Sequence, residues 1–314
     1  MNFDSYQKQS QKTDKHGNDR AMQLKISLLG LAGETGTLLA EYKKLLRDGK
    51  ARELFVPYYK EELGDLLWYM SSVASALGLK LGDIAKNNLR KTRGRWTEKT
   101  SGQSNVKHFD AKFKRRERLP RVLNIEFLEF KEKKSTRVCI FANGVVVGDV
   151  LTDNSHEDIG YRYHDVFHLA YATILGWSPV LRKLLHKKRK SNPKTDEVED
   201  GARATLTEET IAIFIYANAS YLNHYDGVQA VDFSILKMVA QMTRGFEVEK
   251  RSLKQWETAI TMGYEMFRQL LKNRGGIVLA DRNKETMTYK KLSEARKNKL
   301  RKEYQTLEKH GKLS

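Results

Sequence analysis

Cysteine is nearly absent from this chain. Cys139 stands alone among 314 residues, which excludes an intramolecular disulfide and any cysteine-built metal cluster. It sits between Val138 and Ile140, the setting of a small core residue rather than of a nucleophile. No apolar run approaches the roughly 20 residues that a membrane-spanning helix needs. The opening Met1-Asn2-Phe3-Asp4 is polar and lacks the apolar segment of a secretory signal. Sequence repeats and low-complexity tracts are missing as well. These absences predict a cytoplasmic protein with no membrane partner. Acids are in short supply: 39 Asp and Glu face 57 Lys and Arg, a formal net charge of +18. Such a field favours polyanionic partners, namely nucleotides, nucleic acid or an anionic surface.

The charge is unevenly spread. Arg182 to Lys194 carries seven Lys and Arg and no acid, Thr195 to Glu209 carries six acids and one Arg, and Asp281 to Ser314 carries eleven bases against five acids. The last of these reads as a charged helix or arm in solvent.

The acids that remain are placed informatively. Glu62 and Asp65 are three apart within Glu61-Glu62-Leu63-Gly64-Asp65, so a helix puts both carboxylates on one face, close enough to share an ion. Leu63, Leu66, Leu67, Met70 and Val73 recur at helical period around them. Upstream, Glu34 and Glu41 lie two turns apart with Leu38 between them. Two such helices facing each other would enclose a small acidic cavity. Hard divalent cations take oxygen ligands, and Mg²⁺ is usually held by a few carboxylates plus substrate phosphates.

This stretch, with its context Gly30-Leu31-Ala32-Gly33-Glu34, Leu66-Leu67-Trp68-Tyr69, Asn88-Leu89-Arg90-Lys91 and Arg95-Trp96, resembles the MazG family of all-helical nucleoside triphosphate pyrophosphohydrolases. The resemblance covers about the first third of the chain. The family motif is Glu-x-x-Glu, a gap, then Glu-x-x-Asp; here it reads Glu34-Thr35-Gly36-Thr37 and Glu62-Leu63-Gly64-Asp65. Thr37 replaces the second glutamate and offers a poorer, uncharged ligand, with Glu41 one turn further on as the compensating acid. The resemblance implies Mg²⁺, with Mn²⁺ as the alternative, on Glu34, Glu41, Glu62 and Asp65. Glu61 is the carboxylate left to accept a proton. Lys43, Lys44, Lys91 and Arg95 would neutralise a triphosphate, and Asn88 would contact the sugar or base. It also implies a homodimer or higher homo-oligomer.

A long helix is expected over Arg20 to Arg47, strained at Gly30, Gly33 and Gly36. Another opens at Pro57, and a further one runs from Leu81 to Trp96. Residues 98–119 read as a linker, with the basic run Lys112 to Arg118. Beyond Pro120 the apolar period becomes two, and Asn143-Gly144 is a strong hairpin signal because both turn positions need positive φ. Strands are expected over 121–130, 137–142 and 145–151, with Ile277 to Leu279 as a further short one. Helices follow from Tyr161, Thr207, Phe233 and Ser252, and Thr205 and Glu208 suit a capping box.

The most unusual stretch of the second half is Gly160-Tyr161-Arg162-Tyr163-His164-Asp165-Val166-Phe167-His168. His164 and His168 share a helix face, and two imidazoles at that spacing suit a transition metal. Asp165, Glu208 and Glu209, or the cluster Asp196, Glu197, Glu199 and Asp200, are the acids available as further ligands. The competing reading packs both histidines among aromatic neighbours, with Glu208 as a helix cap. The basic run Arg182 to Lys190 suits phosphate groups or a plain surface loop. His-Asp-x-x-His, Gly176-Trp177-Ser178-Pro179, the basic loop and Asp196-Glu197-Val198-Glu199-Asp200-Gly201 together are similar to the C-terminal domain attached to some MazG-like proteins.

The expected fold is mainly α: an N-terminal MazG-like helical bundle over 1–97, a linker over 98–119, a C-terminal α+β domain with a small antiparallel sheet over 120–280, and a basic tail over 281–314. The expected activity is Mg²⁺-dependent hydrolysis of nucleoside or deoxynucleoside triphosphates to the monophosphate and pyrophosphate. The alternative is a nucleotide-binding sensor or defence protein whose basic half engages nucleic acid or a protein partner.

Overall fold

A computed structural model describes residues 1–15, 19–49, 55–96, 108–132 and 135–309; for residues 55, 90, 91 and 93–96 it describes the backbone only. The chain divides into two compact units, Met1–Gly94 and Arg95–Ser314.

Among the described residues four α-helices build the first unit. They are α1 (Phe3–Ser10), α2 (Arg20–Asp48), α3 (Phe55–Ala76) and α4 (Leu81–Trp96). Asn2 caps α1 by accepting from the Ser5 N–H, and Asp19 caps α2 by accepting from Ala21 and Met22. Pro57 falls in the first turn of α3, where its missing N–H costs nothing. The expected strain at the α2 glycines does not arise, since the helix runs unbroken through all three. Gly30 has a packing reason: a Cβ there would meet the Tyr69 ring at 2.2 Å. Gly33 and Gly36 face open space.

The interior of this unit is polar. Among its described residues the buried apolar side chains are Ala74 and Leu81, while Ser27, Glu41, Glu62, Ser71 and Ser72 are all buried. The Ser27 and Ser72 hydroxyls meet at 2.8 Å across α2 and α3. Large apolar side chains lie outside instead, Leu29 at 74 %, Leu46 at 70 % and Leu39 at 63 % exposure. An apolar surface of this kind marks a face built to be covered.

The second unit is a five-stranded antiparallel sheet packed among helices. The strands are β1 (Val122–Glu132), β2 (Ser135–Ala142), β3 (Val145–Val146), β4 (Gly275–Asp281) and β5 (Thr286–Lys290), in the order β3-β2-β1-β4-β5. Asn143 and Gly144 join β2 to β3 with φ of 52° and 80°, as their sequence requires. Between the strands come α5 (Asp165–Ala170), a π turn (Tyr171–Leu175), α6 (Pro179–Leu184), α7 (Pro193–Val198), α8 (Ala202–Ser220), α9 (Phe233–Met242) and α10 (Leu253–Asn273). The alternation of the strands divides the core. Leu123, Ile125, Phe127, Val138 and Ile140 face the helices, and Leu128, Cys139 and Phe141 face the other way.

Two expectations are corrected here. The basic tail is not a solvated arm: it supplies β5 and α11 (Glu294–Lys309), whose Leu300 and Tyr304 join Leu292 over Leu128, Cys139 and Phe141. Two apolar residues one turn apart suffice to seat a charged helix, and Arg296 adds a 2.7 Å bond to the buried Glu126. The supposed linker is also structured where described. Residues 97–107 and 310–314 lie outside the described residues, but Asp110 and Leu119 are buried in the second unit.

Asp110 ties that segment to the core. It is fully buried and pairs with Arg182 at 3.0 Å and Arg121 at 2.9 Å, and it accepts from the Leu119 N–H. Burial alone would raise its pKa, but the Arg282 and Arg182 guanidiniums outweigh burial and bring it to about 2 from an ordinary 3.8. A depressed carboxylate contributes stability that is complete above its unfolded pKa and lost as pH falls through the folded one. Chemical denaturation should therefore show stability of the second unit falling as pH drops from 3.8 toward about 2. Asp110→Ala, which strands buried guanidiniums, should cost about 3–5 kcal/mol at neutral pH.

Candidate functional site

In the first unit α2 contributes Glu34, and α3 contributes Glu62 and Asp65 one turn apart. One ligand oxygen from each lies within 4.8 Å of the others. Glu62 is buried, Glu34 half-buried and Asp65 exposed, so the cluster opens to solvent on one side. The Glu62 Oε2 atom is buried without a hydrogen-bond partner among the described residues. Burial, then the charges of Glu62 and Asp65, hold Glu34 above the usual carboxylate range. Tyr58, one turn before Glu62, is pushed up chiefly by its hydrogen bond to Glu62. The i,i+4 spacing is the signal in the sequence that carries this pair. Three converging carboxylates with an orphaned buried oxygen form an all-oxygen donor set suited to a hard cation such as Mg²⁺.

The remaining expected residues fall elsewhere. Glu41 is buried and ion-paired with Lys44, and it lies outside the converging group of Glu34, Glu62 and Asp65. The Thr37 hydroxyl donates to the Gly33 carbonyl of its own helix at 3.3 Å. Lys43, Glu61 and Asn88 are exposed. The side chains of Lys91 and Arg95 lie outside the described residues.

In the second unit His164 and His168 come together with Glu209 of α8, again with ligand atoms within 4.8 Å of one another. Glu208 plays another part. It is fully buried, accepts from His168 Nδ1 at 2.9 Å and from the Val180 N–H at 2.8 Å, and so locks α8 to α5 and α6. The expected capping box at Thr205 and Glu208 is absent, because α8 begins at Ala202 and Thr205 donates to the Gly201 carbonyl. Burial acts to lower the His168 pKa, yet Glu208 and Glu209 outweigh it and hold it well above the ordinary value. Asp165 lies 3.2 Å from His164 Nε2.

The basic run beside this cluster is only partly a surface. Arg182 and Arg189 are buried, Arg182 on Asp110 and Arg189 on Asp200 at 2.7 Å and Glu247 at 2.8 Å. Asp200 is thereby committed to structure, as is Glu199, which accepts from the Glu247 N–H at 3.0 Å. What stays outside lines a cleft of about 850 Å³: Lys183, His186, Lys188 and Lys190 with Arg116, and Glu209 on its wall.

The sequence pattern of the MazG C-terminal domain matches residues 104–293, more than half of the chain. The chain belongs to that family. MazG membership points to a nucleotide-related function and to divalent-metal dependence at the level of the family. The Gene 37 protein of Mycobacterium phage L5 is 35 % identical over 69 residues, which cover 21 % of this chain and 60 % of that relative. The chain thus spans less than two thirds of the length of the curated relative it matches. No solved structure matches. No helix among the described residues is long and apolar enough to cross a membrane.

A raised carboxylate in an acidic cluster is a cost that grows with pH. Glu34 contributes destabilisation that is absent below the ordinary carboxylate pKa and complete above its raised folded value. A cation should relieve it. In scanning calorimetry, Mg²⁺ at a hundred times its Kd should stabilise the first unit by about 2.7 kcal/mol at neutral pH. Glu62→Gln should melt higher than the wild type without metal and gain nothing when Mg²⁺ is added.

Proposed function

We propose that the first unit hydrolyses nucleoside or deoxynucleoside triphosphates between the α and β phosphates, giving the monophosphate and pyrophosphate. The observation that carries this reading is the convergence of Glu34, Glu62 and Asp65 with an unpartnered, buried Glu62 oxygen, in a chain of MazG membership. These three side chains would hold Mg²⁺, or Mn²⁺ in its place. Bound there, the ion supplies charge neutralisation of the phosphate oxygens and a lowered pKa for the attacking water. Glu61, exposed beside the cluster, accepts the proton. Lys43, Lys91 and Arg95 answer the triphosphate charge, and Asn88 reads the sugar or base. The exposed Leu29, Leu39 and Leu46 support a homodimer or higher homo-oligomer in which that apolar face is covered.

One observation favours a second reading. With Thr37 bonded to its own helix and Glu41 held by Lys44, the first motif supplies one carboxylate where the family pattern supplies two. Such a site would bind nucleotide while hydrolysing it slowly, as a sensor or defence protein would, with the basic half engaging nucleic acid or a protein.

Pyrophosphate release from a panel of ribo- and deoxynucleoside triphosphates, with Mg²⁺, Mn²⁺ or chelator, separates the two. Metal-dependent release by the wild type, abolished in Glu62→Gln with an unchanged helical circular dichroism spectrum, is the outcome expected of the enzyme. Silence in the wild type with turnover in Thr37→Glu would instead establish the binding protein. Release retained by Glu62→Gln would overturn the metal assignment.

A further inference from the structure

The cluster on α5 and α8 has a feature that packing does not account for. Each imidazole is anchored through Nδ1 to a group that accepts: His164 to the Tyr161 carbonyl at 3.0 Å, His168 to the Glu208 carboxylate at 2.9 Å. A carbonyl or carboxylate accepting from Nδ1 fixes that nitrogen as the donor and leaves Nε2 as the atom a metal ion would take, displacing any proton it carries. Glu208 cannot turn away, because its other oxygen accepts from the Val180 N–H. His168 Nε2 is completely buried and has no hydrogen-bond partner among the described residues, although Glu209 Oε2 lies 3.3 Å from it. His164 Nε2 faces Asp165 at 3.2 Å. Two oriented imidazoles, each held by an outer acceptor, and a converging carboxylate are how proteins prepare ligands for a metal ion.

We propose that the second unit holds a first-row divalent transition metal on His164, His168 and Glu209, with Asp165 as the adjacent acid, and that a phosphate group is its exogenous ligand. The donor set is two nitrogens and a carboxylate, which suits zinc, cobalt or non-haem iron rather than Mg²⁺. Phosphate follows from the surroundings. Glu209 stands on the wall of the cleft lined by Arg116, Lys183, His186, Lys188 and Lys190. Glu117, also in that cleft, is occupied by Ser191 at 2.9 Å through the backbone N–H. Asp149 and Asp196 line the cleft as well, so Arg116, Lys183, Lys188 and Lys190 face three acids besides Glu117, Glu209 among them, and a phosphate oxygen is a ligand that suits both these cations and a metal ion held by Glu209. This site is independent of the carboxylates in the first unit.

The test uses the full chain carrying Glu34→Gln and Glu62→Gln, stripped with chelator and titrated with Co²⁺. One Co²⁺ per chain is expected, with a visible d–d band and two solvent-exchangeable, paramagnetically shifted imidazole N–H resonances. His168 is a core residue, so the variants are taken at the rim. His164→Ala should remove one of the two resonances, and Glu209→Gln should weaken Co²⁺ binding at least tenfold. No stoichiometric Co²⁺, or a spectrum unmoved by His164→Ala, would overturn the metal site. Inorganic phosphate should shift the d–d band, and Lys183→Ala with Lys188→Ala should raise the concentration required at least tenfold. A band that phosphate leaves unchanged would overturn the ligand assignment.

Discussion

Asp110 has no access to solvent, and three guanidiniums, those of Arg121, Arg182 and Arg282, gather around it. Each comes from a different part of the chain, so one carboxylate holds the segment before the sheet, the start of β1, α6 and the end of β4 in a single register. A buried ion is tolerated only when its partners are placed well, and removing any one leaves the others stranded. The same constraint recurs through the second unit. Arg189 is shared by Asp200 and Glu247, and the buried Arg162 by Glu129, Asp153 and Asp158. These matched charges shape the ground on which the cleft and the histidine pair sit.

Against that background the unmatched groups stand out. Glu62 Oε2 and His168 Nε2 are buried polar atoms without hydrogen-bond partners among the described residues, and each points into a cluster of ligand-bearing side chains. Other buried polar atoms among the described residues also lack hydrogen-bond partners, Trp177 Nε1 and Arg282 Nη2 among them, but Glu62 and His168 are the two that belong to converging groups of ligand-bearing side chains. The donor chemistry differs between them. Oxygen alone converges in the first unit, and nitrogen with oxygen converges in the second, so the two donor sets suit different classes of cation.

The first unit differs from the second in how it is held. Its buried positions are mostly serines and acids, and its large leucines lie outside. Little apolar area is removed from water within the unit itself, and the hydrophobic stabilisation available to it is correspondingly small. Capping at Asn2 and Asp19, the Ser27–Ser72 contact and the close seat of Tyr69 against Gly30 align α2 with α3. That alignment brings Glu34 across to Glu62 and Asp65. Covering the outer leucines and neutralising the acids would both add stability that the isolated unit lacks.

The sequence by itself determined the features that depend on neighbours a few residues away. Local pattern marked the three longer helices of the first unit, spacing put Glu62 and Asp65 on one face, and Asn143-Gly144 marked its turn because φ is a local property. His164 and His168 were legible for the same reason. Tertiary structure decided the rest. Glu209 rather than Glu208 joins the histidines because Glu208 is consumed by His168 and Val180, residues 40 and 28 positions away. Arg182 and Arg189 left the basic surface because carboxylates 72 and 11 residues distant received them. β4 and α11 found the two free sides of β1 only once the chain had folded back over more than a hundred residues. Whether a charged side chain is a solvated surface, a buried strut or a ligand depends on what faces it, and no local pattern encodes that.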